Sequence, residues 1–594
     1  MIIFYLILLT VRSQVIPEDR RVDWALAKSH FTFEEPALVF NIMDFGGSND
    51  GTSDNSLALQ EAVAASGNLP AVIYFPAGIY LFNSPVHITK DSLLLKGAGS
   101  GNTLLKFDFQ GENSSCISFS GVALSGFMKI KSGYIFKSRK LCTDSAFMVD
   151  ADDMIEIREE NGDWDTRPAD WAKNVVGQMV MVDSVIADTL FLRSPLFIQY
   201  DSALHPQFRV IRPIVNSGIS CLKIQRLDEP TSGGGYNILF SLAKNGWVSG
   251  VESDTSVASH VYITQSLNVK VSGCYFHHAF RYDGAATHGY GVTISNHASE
   301  CLVENNIFKH LRHAMMVKAG ACGNVFGYNY STDVYRSEFP HSYGGDISLH
   351  GHYPFANLFE GNIVENIILD HYWGPSGPLN TFFRNRATRW GLIFTNSNLL
   401  ESVRQNVVGN EITNGDVLMG QYNLSGNDHF EYGNNVLGET VPAGTDSLPD
   451  FSYYLDAGPD FWDVDDDWPS IGLPNFLGGG SIPAEKRFEN GSSLTVCGDS
   501  TVTYQEDNRP HKLNVFPNPN NGWLMVRCPF EHSSVKIMLW SLHGEKVLDT
   551  VMNDRSKTIN LKLPEYLPSG IYLLKLGCDK ITQTVKIYVQ RTDR

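Results

Sequence analysis

The sequence predicts an all-β protein built around a parallel β-helix, with an inserted small β domain and a C-terminal β-sandwich. Three observations carry that expectation. The composition is turn-rich, with 52 glycines in 594 residues, 43% hydrophobic residues and only 19% charged ones, which suits a β protein better than a helical one. Short apolar strands separated by Asn- and Gly-rich turns recur between residues 216 and 440, and a period near ~22 residues with loop insertions is the signature of stacked coils. From residue 512 onward the pattern becomes alternating strands punctuated by Gly and Pro, as in a small sandwich.

The length corresponds, at ~100–200 residues per domain, to three or four domains or to one long array with additions. The apolar fraction excludes wholesale disorder. A formal net charge of −18 argues against a nucleic-acid partner, which would call for a basic footprint.

The elements follow in chain order. Residues 2–11 (IIFYLILLTV) form an apolar run far shorter than the ~20 residues that span a bilayer. With Ser13-Gln14 as a cleavage zone, residues 1–14 read as a secretory signal, although no Lys or Arg precedes the run. No other segment reaches spanning length, so no integral membrane protein is expected. Residues 40–146 are assigned to the N-terminal cap and first coils. Asp54 or Asn55 can cap a helix starting at Ser56, with Leu57, Leu59-Gln60 and Ala62-Val63 as its packed face. Val72–Phe75 and Ile79–Phe82 are short strands around a Pro-Ala-Gly turn.

These pieces carry a resemblance. Asp44-Phe45-Gly46, Asp50-Gly51-Thr52, Asp54, Ala58, the helix and Phe75-Pro76-Ala77-Gly78-x-Tyr80 resemble the opening segment of the pectate-lyase-like superfamily. Its members are right-handed parallel β-helices that include polysaccharide lyases and glycoside hydrolases. The same opening precedes several chemistries, so the resemblance implies the fold and not the reaction.

Residues 147–215 interrupt the repeat. VGQMVMVDSVIADTLFLRSPL alternates well and reads as the inserted small β domain, and NGDWDTRPADW at 161–171 precedes it. That insert is read as a structural excursion in preference to a wall of a cleft. The main body spans 216–440, with Val271, Val303, Phe326, Phe359, Phe383, Val403 and Phe430 as equivalent positions of successive coils. Each coil buries its inner face only against its neighbours, and its Asn residues can ladder at the bends. Nine cysteines without a CxxC argue against a zinc ribbon. Cys274, Cys301 and Cys322 read as small buried stack residues, and one disulfide elsewhere is compatible with an oxidising compartment.

Residues 441–510 form a flank region. Its acidic stretch DFWDVDDDWPSIGLP reads as a solvated, wrapped loop, since Asp463, Asp465, Asp466 and Asp467 lack the glycine and distal glutamate of an EF-hand. In 511–594, Pro517-Asn518-Pro519, Gly522, SLHGEKV and Ser569-Gly570-Ile571-Tyr572 resemble the C-terminal sorting domain of the type IX secretion system of Gram-negative bacteria. The resemblance implies that this machinery is a partner. It also implies that the mature protein is secreted or attached to the cell surface.

Ten of the 18 histidines lie between residues 277 and 371, in the longest loops of the array, where a scaffold usually carries function. Stacking the second strands of the coils gives an inward column Ile294, Val317, Leu349, Leu369, Phe394 and Met419. Alternation then sends Ser295, Lys318, His350, Asp370, Thr395 and Gly420 outward. At ~4.8 Å between coils, Lys318, His350 and Asp370 would touch; a one-residue slip would substitute His371 and bury the aspartate.

Such a column has useful chemistry. His350 carries a proton near neutral pH. A Lys318 with a lowered pKa in a partly dry cleft can act as a base, and Asp370 can orient His350 or hold a cation. The candidate catalytic set is Lys318, His350, Asp370 and His313. The candidate substrate-binding set is Asp346, His352, Arg384, Arg386, Tyr372 and Trp373. The arginines suit carboxylate or sulfate, and the aromatic rings suit sugar faces. His350-Gly351-His352 alone is a weak zinc signal, so no metal ligands are assigned.

Three functions compete. A polysaccharide lyase needs a base, an acid and a cation against a uronate carboxylate. A glycoside hydrolase needs two spaced carboxyl groups, for which Asp333, Glu338, Asp346 and Asp370 are available. The neighbouring Asp-Asp pair and Arg-x-Lys motif typical of polygalacturonase-like hydrolases are not found in the repeat body at 216–440. A surface adhesin or glycan binder needs neither set. The reading preferred is an exported, monomeric β-helix enzyme that cleaves an extracellular acidic polysaccharide by β-elimination. It needs no organic cofactor, and Ca²⁺ is one means of neutralising the carboxylate.

Overall fold

The structure is a computed structural model. It describes residues 14–28, 35–230, 234–491 and 493–497, and, in the C-terminal region, 514–516, 522–527, 535–541, 546–552, 558–564, 566–578 and 581–589. The chain divides into two units, Met1–Asp499 and Ser500–Arg594. The secretory signal, apart from Gln14, lies outside the described residues, as do Pro517-Asn518-Pro519 and most of the SLHGEKV turn.

The first unit is a right-handed parallel β-helix. A 12-stranded parallel sheet forms one face, from Val39–Asn41 at one end to Phe430–Tyr432 at the other, and a 21-stranded sheet supplies the remaining faces. The coils stack because each apolar inner position lands on its equivalent in the next. Phe326, Phe359 and Phe382 lie in one such column, with ring centroids 5.1 and 5.5 Å apart.

At one bend, Asn306, Asn329, Asn362, Asn385, Asn410 and Asn434 form a buried ladder. Each side-chain amide donates to the next Oδ1 over 2.8–3.0 Å. Asn324, Asn357 and Asn380 form a second ladder that ends on Gln405. Buried bends leave backbone groups without water, and these amides satisfy them.

The column on the 12-stranded face runs Val271, Val303, Phe326, Phe359, Phe382, Val407 and Glu431. Phe382, not Phe383, is therefore the inward residue, and Val403 and Phe430 are replaced by Val407 and Glu431. The slip arises because Phe383 is buried too. It packs outside the coil against Tyr453, 4.1 Å between centroids, so both faces of that strand are apolar and alternation carries no signal.

Helix Ser56–Ala65 covers the first coils. Asp54 Oδ1 accepts from the Ser56 amide at 3.1 Å, while Asn55 is buried and turned to Ser48. The packed face is Ala58, Leu59 and Ala62; Leu57 and Gln60 point to solvent.

The inserted domain begins earlier than residue 147. Val122–Ala123, Met128–Lys129 and Lys140–Cys142 already belong to its seven-stranded antiparallel sheet. Their partners lie in Thr189–Leu192 and Gln207–Arg212. Strands this short show no alternation of their own. The insert is docked on the helix by His297, whose Nδ1 lies 2.8 Å from Glu156 Oε1 and whose Nε2 lies 2.8 Å from the Asn174 carbonyl. Gly320 (φ +71°) permits the Val175 carbonyl to approach so closely that a β-carbon would overlap it.

Residues 448–484 wrap along the 12-stranded face. Tyr453, Tyr454, Ile471 and Ile482 pack on Leu302, Val325, Leu358 and Val408. A disulfide joins Cys221 to Cys497, with the Cα atoms 5.3 Å apart, while Cys274, Cys301 and Cys322 are buried free thiols. No helix among the described residues is long and apolar enough to cross a membrane.

The second unit is a β-sandwich of one three-stranded and one four-stranded antiparallel sheet. Leu524, Ile537, Leu539, Leu561, Leu574 and Ile587 fill its core.

Candidate active site

The inward column Ile294, Val317, Leu349, Leu369 and Phe394 is formed by direct strand partners. It continues to Leu424 and not to Met419, because Asn414–Gly420 is spent on a turn. The parallel ladder runs one residue further on the outer side. The amides of Lys318, His350, Asp370 and Thr395 donate to the carbonyls of Ile294, Val317, Leu349 and Leu369 at 2.9–3.2 Å. Lys318, His350 and Asp370 thus leave successive coils side by side. His371 is turned the other way, into the next coil, with Nδ1 2.7 Å from the Thr395 carbonyl and Nε2 2.9 Å from Ser402 Oγ.

His350 Nδ1 lies 2.6 Å from Asp370 Oδ2. A carboxylate only accepts, so this ring nitrogen carries the proton and Nε2 faces outward. The other carboxylate oxygen accepts from the Tyr372 amide at 3.0 Å. Burial pushes the Asp370 carboxyl up, but His350 and the Tyr372 amide outweigh it and hold it below the usual carboxylate range.

Lys318 does not join this pair. Its Nζ lies over the rings of Trp171 (5.4 Å) and Tyr262 (5.9 Å), and it has no ion pair or hydrogen bond among the described residues. Burial without a counter-charge lowers its pKa to about 8.

Aromatic rings surround these side chains, and the surface they share is termed the groove. Tyr372 is 69% exposed and lies parallel to His350 at 6.2 Å. Trp373 meets Tyr372 edge-on at 5.1 Å and Trp171 edge-on at 5.4 Å. Trp171 is half exposed and belongs to the insert, so the segment at 161–171 reaches Lys318, His352 and Trp373 on the coils. Its neighbour Trp164 packs on Tyr353. Sequence patterning noted this tryptophan- and acid-rich segment but could not bring it to Lys318, a contact across about 150 residues of chain.

The other candidates divide. His352 is fully buried between Trp171 and Trp373, and burial lowers its pKa to about 4. It lines the groove floor and is closed to solvent. His313 is buried behind the column, with Nδ1 3.0 Å from the Gly345 carbonyl and its ring 6.0 Å from that of His350. Burial, with Arg312 and His350 adding to it, keeps it neutral.

Asp346 is not a substrate contact. It is buried, accepts from Ser331 Oγ (2.6 Å) and from the amides of Glu365 and Asn366, and closes a loop. Arg384 and Arg386 are not in the groove either. Buried Arg384 donates to the carbonyls of Leu448, Asp450, Ile471 and Leu473. Arg386 pairs with Glu411 at 2.7 Å and reaches the Gly480 carbonyl. Both fasten the 448–484 wrap, whose carbonyls come from residues too distant in sequence to be foreseen. In the acidic stretch, Asp466 pairs with Lys486.

Two segments match known families. Residues 39–202 match the family described as rhamnogalacturonase A/epimerase, pectate lyase-like, and residues 514–590 match the secretion system C-terminal sorting domain. No curated protein matches the chain.

Among solved structures, the tailspike protein gp49 of Pseudomonas phage LKA1 is 16% identical, with a TM-score of 0.47 over 62% of this chain and 63% of that one. The gp54 tailspike of Acinetobacter baumannii bacteriophage AP22, solved with a capsular saccharide, is 11% identical, with a TM-score of 0.43 over 67% and 69%. An exopolygalacturonase from Thermotoga maritima is 11% identical, with a TM-score of 0.33 over 64% and 83%. The chain thus spans just under two thirds of the length of the first of these structures.

Proposed function

We propose that the chain is an exported enzyme that cleaves an acidic, uronate-containing polysaccharide by β-elimination in the groove beneath Trp171 and Tyr372. The observation that carries this reading is a desolvated Lys318, without a hydrogen bond or ion pair among the described residues, on the coil next to a His350 ring oriented by Asp370. A lysine without a counter-charge loses its proton readily and suits the base. A histidine held by a carboxylate suits the acid.

In the proposed step, neutral Lys318 Nζ takes the proton next to the uronate carboxylate. The electron pair forms the new carbon–carbon double bond, and the bond to the leaving glycosidic oxygen breaks. His350 starts as the imidazolium, stabilised by Asp370; its Nε2 proton passes to that oxygen, and the ring is left neutral with its remaining proton on Nδ1 toward Asp370. Trp171, Tyr372 and Trp373 offer apolar faces to the sugar rings. The sorting domain supports delivery to the cell exterior, where such a polymer would be met.

Hydrolysis is the weaker reading, for a stated reason. It needs two carboxyl groups facing one bond. Of the four candidates, Asp346 is consumed inside the fold, Asp333 accepts from His310 at 2.9 Å and Glu338 accepts from the Gly284 amide at 2.6 Å. Asp370 is itself committed to His350 and the Tyr372 amide, so none of the four stands as an unengaged acid.

The test incubates the mature chain with a panel of polyuronates and sulfated glycans, with and without Ca²⁺. Ultraviolet absorbance of the unsaturated product is followed while reducing ends are counted. Both rising together is the expected result. Reducing ends without absorbance would mean hydrolysis and would sink the proposed roles of Lys318 and His350. Silence across the panel, with retention of a glycan on the protein, would favour a binding role.

A further inference from the structure

A second cluster of ionisable groups lies on another face of the coils, away from Lys318. Strands Glu252–Ser256 and Tyr275–Ala279 are parallel neighbours, and Asp254 sits directly beside His277. Alternation would send the next residue, His278, to the opposite side. His278 instead takes a left-handed conformation (φ +60°), and buried His260 fixes its carbonyl at 3.0 Å. The two adjacent rings therefore converge, with their Nδ1 atoms 2.9 Å apart. His277 Nδ1 lies 3.6 Å from Asp254 Oδ1, and the three ligand atoms all fall within 4.8 Å of one another.

The tautomers at this point follow from the neighbouring carboxylates. Glu252 Oε1 lies 3.1 Å from His277 Nε2. A carboxylate accepts, so Nε2 carries the proton and, in the neutral ring, Nδ1 presents a lone pair. That lone pair faces His278 Nδ1 at 2.9 Å and lies 3.6 Å from Asp254 Oδ1, which accepts from the Thr255 hydroxyl at 2.9 Å. Lys223 bonds Glu252 at 2.7 Å and the other oxygen of Asp254 at 2.9 Å, and Lys309 is the strand partner of His277 on the next coil.

We infer that Asp254, His277 and His278 form a binding site for a zinc-class divalent cation. Asp254 Oδ1 and the two Nδ1 atoms are the ligands, and exposed His278 leaves the remaining position to solvent. A tetrahedral ion with bonds of ~2.0–2.1 Å holds its ligands roughly 3.3 Å apart, which the observed 2.9 and 3.6 Å bracket. Two imidazoles and one carboxylate favour Zn²⁺, Ni²⁺ or Cu²⁺ over Ca²⁺. Glu252 supplies the carboxylate that orients a ligating histidine through its other nitrogen. The site shares no residue with the groove and stands whether or not the groove is a lyase centre.

The experiment uses the untagged full chain, stripped with a chelator and exchanged into metal-free buffer. It is titrated with ZnCl₂ by calorimetry and with CoCl₂ by visible absorption. One equivalent of Zn²⁺ and a Co²⁺ ligand-field band are expected. His278→Ala, at an exposed position, should abolish both with an unchanged melting curve. Asp254→Asn should do the same, and Glu252→Gln should weaken binding by about 10–100-fold. Absence of heat and band in the folded wild type would overturn the site. So would full-affinity binding by His278→Ala, and the two histidines would then share only a proton.

Discussion

Two charged regions grow from the same coils and are built on opposite principles. On the flank, Arg384 is buried and saturated by four carbonyls of the wrap, and Arg386 is locked to Glu411. On the groove, Lys318 meets only aromatic rings, and His350 is fixed through one nitrogen with the other turned outward. The difference teaches that a run of ionisable residues does not by itself mark a site. What separates strut from candidate catalyst is how far the fold has engaged the group. The two arginines are tied to the wrap although Arg386 Nη2 stays without a partner, whereas Lys318 has no hydrogen bond among the described residues, and a group left unsatisfied is retained at some cost in stability.

The largest expected effect would break the comparison if it failed. Lys318→Met should lower the rate of unsaturated-product formation by about 10²–10⁴-fold, with a melting temperature equal to or above that of the wild type. Loss of both activity and stability would mean that Lys318 is a strut like Arg384. The reciprocal change, Arg384→Met, strands buried carbonyls of the wrap and should destabilise by on the order of 3–5 kcal/mol. Denaturant unfolding would measure it, and the specific rate of the folded fraction should be unchanged.

The same contrast explains what the sequence made legible. The groove column could be read as far as Phe394 because the strands keep one register from coil to coil, so Ile294, Val317, Leu349, Leu369 and Phe394 fall in line. It failed at Met419, where a turn delays the strand to Leu424, and at Phe383, where the wrap buries the second face. Arg384 and Arg386 were misplaced for that reason. They look like free cations until residues 448–480 arrive from far along the chain. Trp171 was hidden likewise, since the insert's docking rests on Gly320 and on the His297–Glu156 pair, which no local pattern encodes. The convergence of His277 and His278 depends on one left-handed residue that alternation forbids.

A pH series sharpens the comparison further. Burial lowers the Lys318 pKa to about 8, against an unfolded value near ~10.4. Elimination through the neutral amine should therefore lose roughly tenfold in rate per pH unit below that value. The folded lysine releases its proton before the unfolded one does, so the unfolded chain binds more protons between about pH 8 and 10.4, and stability should rise with pH across that window. Lys318→Met should remove both dependences. A rate profile unaffected near pH 8 in the wild type would take the base role away from Lys318.

The smallest effect concerns the insert. Trp171 is 48% exposed, and its ring meets His352, Trp373 and the Lys318 ammonium. Its removal opens one side of the groove and wets Lys318 without emptying a core. Trp171→Ala should raise KM about tenfold, matching ~1–1.5 kcal/mol for a lost aromatic face. It should also move the rate profile to higher pH, because a better-solvated lysine holds its proton longer. Trp164 offers the control. It packs inward on Tyr353 within the second core cluster, so Trp164→Ala should cost stability and leave the pH profile of the folded enzyme in place. If the two variants behaved alike, the insert would act as a rigid brace, and the dry side of the groove would have to come from Tyr262 alone.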